Sequence, residues 1–282
     1  MHIFSQLVAT AFGLSAVFAW GTSDFIGGFA SKRSDAFVVT LLAHASGFTL
    51  MTILAEMTHA PLPARSSQLW AFAAGALGGT ALAVFYGVLA SGKMGLIAPV
   101  PAVVGAAIPM VFSIFTQGLP GFLPMVGFLL AGVGIWLISR SEHGTGTIEG
   151  LPLALLAGVG FAGFFLCISR TGQSDALWSA SESRVGSLIL VGIVVLLRPG
   201  RRLLTWRSAA WGLMAGCLDS TGTFLFIRAQ QSGRLDSAVV LASLYPAVTV
   251  LLARLVLKER FTHWKAIGML AALAAVPLIA AG

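Results

Sequence analysis

Apolar residues run along this chain in long blocks, and polar residues gather in short gaps between them. A helix needs ~20 mostly apolar residues to cross a bilayer. Ten blocks reach that length, at about 7–29, 36–57, 69–91, 94–116, 119–139, 150–170, 176–197, 208–231, 235–257 and 264–281. The gaps are turn-like: Ser31-Lys-Arg-Ser-Asp35, Ala60-Pro-Leu-Pro63, Ser91-Gly92-Lys93, Arg198-Pro-Gly200. The longest polar gap near the middle, Arg140 to Gly150, is rich in Gly and Thr and reads as a linker. No gap has room for a soluble domain. The pattern predicts an all-α membrane protein of ten transmembrane helices.

The second half repeats the first. A shift of 141 residues lays Trp70-Ala-Phe-Ala-Ala-Gly75-Ala-Leu77 on Trp211-Gly-Leu-Met-Ala-Gly216-Cys-Leu218. The same shift lays Phe85 on Phe226, Ser91-Gly92-Lys93 on Ser232-Gly233-Arg234, and Gly127 on Gly268. A shift of 140 lays Ser34-Asp35-Ala36 on Ser174-Asp175-Ala176, and His44 on Arg184. Two units follow, 1–141 and 142–282, with five spans each. Five is odd, so two copies in one chain must lie in opposite orientations across the bilayer. That inverted-repeat plan is common among secondary transporters, with the substrate between the repeats.

Composition narrows the class. Charged residues are 10% of the chain, against about 25% in a soluble domain. Hydrophobic residues are 57%, and mean hydropathy is +0.92. The net charge of +7 would suggest nucleic acid in a soluble protein. Here the basic residues sit in gaps such as Lys32-Arg33, Arg198 to Arg207 and Lys258 to Lys265. They read as topology-setting loops facing lipid headgroups, with no nucleic-acid partner. Arg65, Arg170 and Arg234 lie on the side of the termini and the larger basic set on the other, so the positive-inside rule puts both termini outside. No basic residue precedes the first apolar run, which reads as a retained span rather than a signal peptide. Cys167 and Cys217 lie in apolar stretches, and no Cys or His pair has ligand spacing, so no disulfide and no metal is expected. No nucleotide-binding loop of the G-x-x-x-x-G-K-[ST] type is present, which leaves a proton or substrate gradient as the energy source and no cofactor.

Several motifs carry a family resemblance. Phe85-Tyr86-Gly-Val-Leu-Ala90-Ser-Gly-Lys-Met-Gly-Leu-Ile-Ala98-Pro99 resembles the third-to-fourth span region of EamA-type proteins of the drug/metabolite transporter superfamily. So do Leu244-Tyr245-Pro246, the run Leu257-Lys258-Glu259-Arg260-Phe261-Thr262 with Gly268 after it, and Ala19-Trp20-Gly21. The first repeat departs from the pattern, with Gln117-Gly118 where an acid is expected; Glu259 keeps it. The resemblance implies a ten-helix transporter of a bacterial inner or plasma membrane, often an exporter of amino acids or other small metabolites. It also implies a central cavity and cytoplasmic termini, against the loop count.

Charges inside spans mark candidate sites, because each costs ~2.5–3.5 kcal/mol at a helix centre on insertion scales. Asp219 is near the middle of the eighth span, and Asp24 about six residues past the middle of the first. Glu182 and Arg184 lie in the first half of the seventh span, and His44 in the second span. Arg228, Arg254 and Glu56 sit near span ends, where side chains reach water. Helical spacing puts Gly216, Asp219, Thr223, Phe226 and Gln230 on one stripe, and Gly13, Trp20, Asp24, Gly27 and Ser31 on another. Gly75, Gly79, Leu82 and Tyr86 form a third. The fifth and tenth spans carry no charge, Lys265 being counted in the loop, and read as scaffold. The first to fourth and sixth to ninth read as the cavity wall. Pro99, Pro101 and Pro246 are hinge candidates, with Pro109 a weaker one.

These residues predict a secondary transporter of a small polar or zwitterionic, amino-acid-like metabolite, working outward by alternating access, with proton coupling or exchange. Asp219 and Asp24 would bind a cationic group or carry a coupling proton. Arg184 and His44 would hold a carboxylate or phosphate. Trp20, Tyr86, Thr223 and Tyr245 would line the site. The alternative of an intramembrane enzyme acting on a lipid finds little support: no H-E-x-x-H pair occurs, and neither Gly160-Phe-Ala-Gly163 nor Ser179-Ala-Ser181-Glu182-Ser183 offers a nucleophile with a base. A membrane sensor would need a signalling domain that the loops have no room for. Nothing in the sequence sets an oligomeric state.

Overall fold

The computed structural model describes residues 2–91, 98–139, 150–197, 204–258 and 262–280. Among them the chain forms eleven α-helices. They are α1 (His2–Ser31), α2 (Ala36–Met57), α3 (Arg65–Ser91), α4 (Pro99–Gln117), α5 (Phe122–Ser139), α6 (Leu151–Ser169), α7 (Ala176–Leu197), α8 (Trp206–Ser232), α9 (Leu235–Ala242), α10 (Tyr245–Val256) and α11 (His263–Ala280). Seven stretches are long and apolar enough to cross a membrane, counting Leu235–Val256 as one. Two shorter apolar helices lie at Phe122–Leu137 and Ala266–Ile279. Large apolar side chains such as Phe115, Phe122, Leu129 and Leu270 are exposed on the outside. In water such a surface would drive aggregation; lipid tails solvate it. The chain is an integral, multi-pass membrane protein.

Local sequence sets the helix starts. Asp35 caps α2, its Oδ1 accepting from Phe37 N at 2.9 Å and Val38 N at 3.3 Å. Asp175 does the same for α7, accepting from Leu177 N at 2.9 Å and Trp178 N at 3.0 Å. Each carboxylate satisfies two amides that have no partner within the helix. Thr205 caps α8 through Ser208 N at 3.1 Å. At the end of α4, Gly118 takes φ +82°, a backbone conformation that glycine adopts without penalty. Arg234 then donates to the carbonyls of Gly118 and Gln117, at 3.0 and 3.4 Å, and pairs with the fully buried Asp236 at 2.7 Å. A cation at the carbonyl end of a helix is favourable, so this loop arginine has a structural task beside its topological one.

Helices of the first and second halves of the chain match in length and offset. α2 and α7 both have 22 residues and start 140 apart. α3 and α8 both have 27 and start 141 apart; α5 and α11 both have 18 and start 141 apart. Packing follows the same exchange. α1 lies on α8 as α6 lies on α3, and α2 on α8 as α7 on α3. α4 lies on α6 as the pair α9 and α10 lies on α1, while α2 meets α7 and α5 meets α11. At Gly75 in α3 a Cβ would overlap the carbonyl of Ser183 in α7. At Gly216 in α8 a Cβ would overlap the carbonyl of Ala43 in α2. These are the same contact in the two halves. One contact is exchanged rather than copied: Gly79 makes room for Ser187, whereas Ser220 fills the room made by Gly47.

Three expectations change. The ninth predicted span is broken at Ser243-Leu244, and Pro246 begins α10 rather than bending a continuous helix. Pro99 and Pro101 fall in the first turn of α4, where a missing amide costs no helix bond, so they do not kink it. Pro109 is the proline inside α4. Lys265 lies in the first turn of α11, not in the loop before it. Lys93, most of the Arg140–Gly150 linker, Arg198 and the Glu259-Arg260-Phe261 part of the motif lie outside the described residues.

Candidate functional site

The charged residues picked out by depth meet at one place. Asp219, from the middle of α8, has Oδ2 2.9 Å from Arg184 Nη1 on α7. His44 Nε2, on α2, stands 3.7 Å from the same oxygen. Arg184 also donates through Nη2 to Thr223, one turn after Asp219, and His44 Nδ1 bonds Ser187. All five are buried. The shift of 140 that lays His44 on Arg184 thus pairs two residues flanking one carboxylate. Glu182 takes no part: it is half-buried, and among the described residues its Oε2 has no hydrogen-bond partner.

Beside this cluster lies a small cavity of about 50 Å³. Asp24, Asp219 and Thr223 supply polar groups to its wall. Trp20, Phe161, Phe164, Phe165 and Tyr245 supply rings, and Gly78, Leu82, Pro101 and Ala102 complete it. Trp20 is fixed by its indole N–H, which donates to the Asp219 carbonyl at 3.1 Å. Its ring meets Phe165 at 5.9 Å, Phe164 at 6.3 Å and Tyr245 at 6.5 Å between centroids, all edge-to-face, a favoured arrangement of aromatic pairs. Asp24 is 5% exposed, and among the described residues its carboxylate has no hydrogen-bond or ion-pair partner. The Tyr245 hydroxyl is also unpartnered.

The wall comes from α1, α3, α4, α6, α8 and α10. α2 and α7, expected in it, stand behind and deliver His44 and Arg184 to Asp219. Those two basic residues therefore face a carboxylate of the protein itself. Tyr86 is fully buried away from the cavity. Its hydroxyl donates to Ser23 Oγ at 3.2 Å, Ser23 donates to the Ala215 carbonyl at 2.8 Å, and the ring packs on Gly27. It ties α1 to α3 and, through Ser23, to α8. Pro101 is a wall residue and Tyr245-Pro246 opens α10 at the wall; Pro99 is not in the wall.

Sequence reasoning missed Phe161, Phe164 and Phe165, since phenylalanine in an apolar span looks like packing. The repeat held the signal. The 140 shift lays Asp24 on Phe164, and the 141 shift lays Gly78 on Asp219 and Leu82 on Thr223. All six line the cavity. The halves share a frame and differ in what they show to the space between them.

The sequence model described as "EamA-like transporter family" matches residues 148–281. No curated protein matches the chain. A solved structure described as "Crystal structure of protein" is similar over 96% of this chain and 95% of its own, with TM-score 0.76 and 15% identity. At that identity the likeness carries the fold, and the description names no activity.

Proposed function

We propose that this chain, whose residues 148–281 match the EamA-like transporter family, is a secondary transporter that exports a small metabolite bearing a positively charged nitrogen. The observation that carries the reading is the cavity: six helices from both halves enclose it, and two buried carboxylates reach it. Charges in spans are costly and belong to pathways or sites.

Ten spans in two inverted five-helix repeats, 1–141 and 142–282, complete the proposal. Equal helix lengths at constant offsets and the exchange symmetry of the packing support it. Such a frame has two related end states, one open to each side, and the substrate site lies between the repeats. Trp20, Asp24 and Tyr245 contact the substrate. Asp219 holds the cavity wall through Arg184, His44 and Thr223, and rearrangement of that cluster accompanies the switch. The break at Ser243-Leu244 serves as the hinge. Movement runs down a substrate gradient or in exchange for protons.

Metabolite profiling of medium and cell extract tests this. Cells with the protein are compared with empty cells and with cells carrying Asp219→Asn at equal membrane level. A small set of metabolites enriched in the medium with the parent protein, and reduced with the variant, is the expected result. Equal profiles in parent and empty cells, across media supplying diverse amines, would sink the reading.

A further inference from the structure

We infer that the cavity selects an organic monocation with an apolar body, an amine or quaternary ammonium without a free carboxylate, and that Asp24 is its counter-charge. This rests on reading the cavity as the substrate site.

Charge comes first. Two ionisable carboxylates line the cavity, and they are not equivalent. Asp219 is already matched, with Arg184 at 2.9 Å and His44 at 3.7 Å. Asp24 is almost as buried as any charged group here, at 5% exposure, yet has no ion-pair or hydrogen-bond partner among the described residues. A lone carboxylate in an apolar wall is costly unless a positive group offsets it. A cation in the cavity does so.

The rest of the wall fits the same guest. Trp20, Phe161, Phe164, Phe165 and Tyr245 surround the space with rings turned at steep angles to one another: 75° for Trp20 and Phe164, 80° for Trp20 and Tyr245, 63° for Phe164 and Phe165. Ring faces attract cations, and aromatic cages recognise quaternary ammonium groups.

The wall offers little to an anion. Arg184 and His44 do not line the cavity and are engaged by Asp219 and its neighbours. The Trp20 N–H is spent on the Asp219 carbonyl. What remains is the Tyr245 hydroxyl, one neutral donor. An α-amino acid would match its ammonium at Asp24 and leave its carboxylate against rings. The site therefore narrows the zwitterionic expectation to a cation.

Three ligands with one phenyl body separate the cases: 2-phenylethylamine (+1), L-phenylalanine (zwitterion) and 3-phenylpropanoate (−1). Binding to the full-length chain in detergent is followed by titration calorimetry, with tetraethylammonium as a fourth probe. The amine is expected to bind saturably, tetraethylammonium to compete with it, and the other two not to compete. Asp24→Asn should weaken the amine about 30-fold or more, as for a buried charge pair cut on one side. Asp24→Glu keeps the charge and should retain most of the affinity, which separates lost recognition from a lost fold. Binding of L-phenylalanine as tight as the amine, equal amine affinity in Asp24→Asn, or no binding of either cation would overturn the inference. The transporter reading fails separately, in the profiling experiment. Protein-dependent efflux of a zwitterion without cation binding removes this inference and keeps transport; cation binding without efflux does the opposite.

Discussion

At the scale of single residues, the cluster around Asp219 is a buried ion pair with a histidine beside it. Such pairs rarely add much stability, but breaking one side is costly because it strands a charge. Arg184→Met should therefore lower the stability of the purified protein by about 3–5 kcal/mol, read as a fall in melting temperature in detergent. Arg184→Met combined with Asp219→Leu should recover most of the loss. Equal damage in the single and double variants would mean that Arg184 matters for its shape, not its charge. Depth along the spans made Asp219, Arg184, His44 and Asp24 legible as candidates, each alone. Their meeting was not legible, because it depends on how α2, α7 and α8 are turned towards one another. Tyr86 shows the opposite case. Its glycine-flanked stripe was readable, but a stripe does not tell a ligand-facing ring from one that packs on the next helix.

At the scale of elements, the two halves make parallel predictions. Asp35→Ala and Asp175→Ala remove the same cap from α2 and α7, and each should cost about 1 kcal/mol. Gly75→Val and Gly216→Val insert side chains where a neighbouring carbonyl already lies. Each should destabilise by about 1–3 kcal/mol or more, and by similar amounts in a thermal unfolding series. A large difference between partners in either pair would show that the halves are held by different contacts. In the sequence Ser-Asp-Ala reads only as a repeat, yet it carries the paired caps, since capping is local chemistry. The prolines were harder. A proline bends a helix only when it falls inside one, and that depends on where the helix starts. Pro99 begins α4 and Pro246 begins α10, so the expected kinks are a helix start and a chain break.

At the scale of the whole molecule, alternating access makes a prediction that no single helix does. In a background of Cys167→Ala and Cys217→Ala, Leu82→Cys places a thiol in the cavity wall. It should react with a membrane-impermeant thiol reagent added to either face of sealed vesicles, and a bound ligand should slow both reactions. Labelling from one face alone would contradict the two-state cycle. The repeat was the whole-molecule feature most legible in the sequence, because a duplicated pattern survives without any knowledge of packing. The lining was not, because it consists of the positions where the copies disagree: Asp24 against Phe164, Gly78 against Asp219, Leu82 against Thr223. That disagreement has a kinetic consequence. A pair of identical halves would be a balance with equal arms, resting as often towards one side of the bilayer as towards the other. Unequal linings tilt the beam. In the proposed cycle the empty protein would then wait mostly on one side, and capture and release would run at different speeds on the two faces. The final ratio of substrate across the membrane would still follow the driving gradient, while the tilt would decide how fast the protein loads on each side.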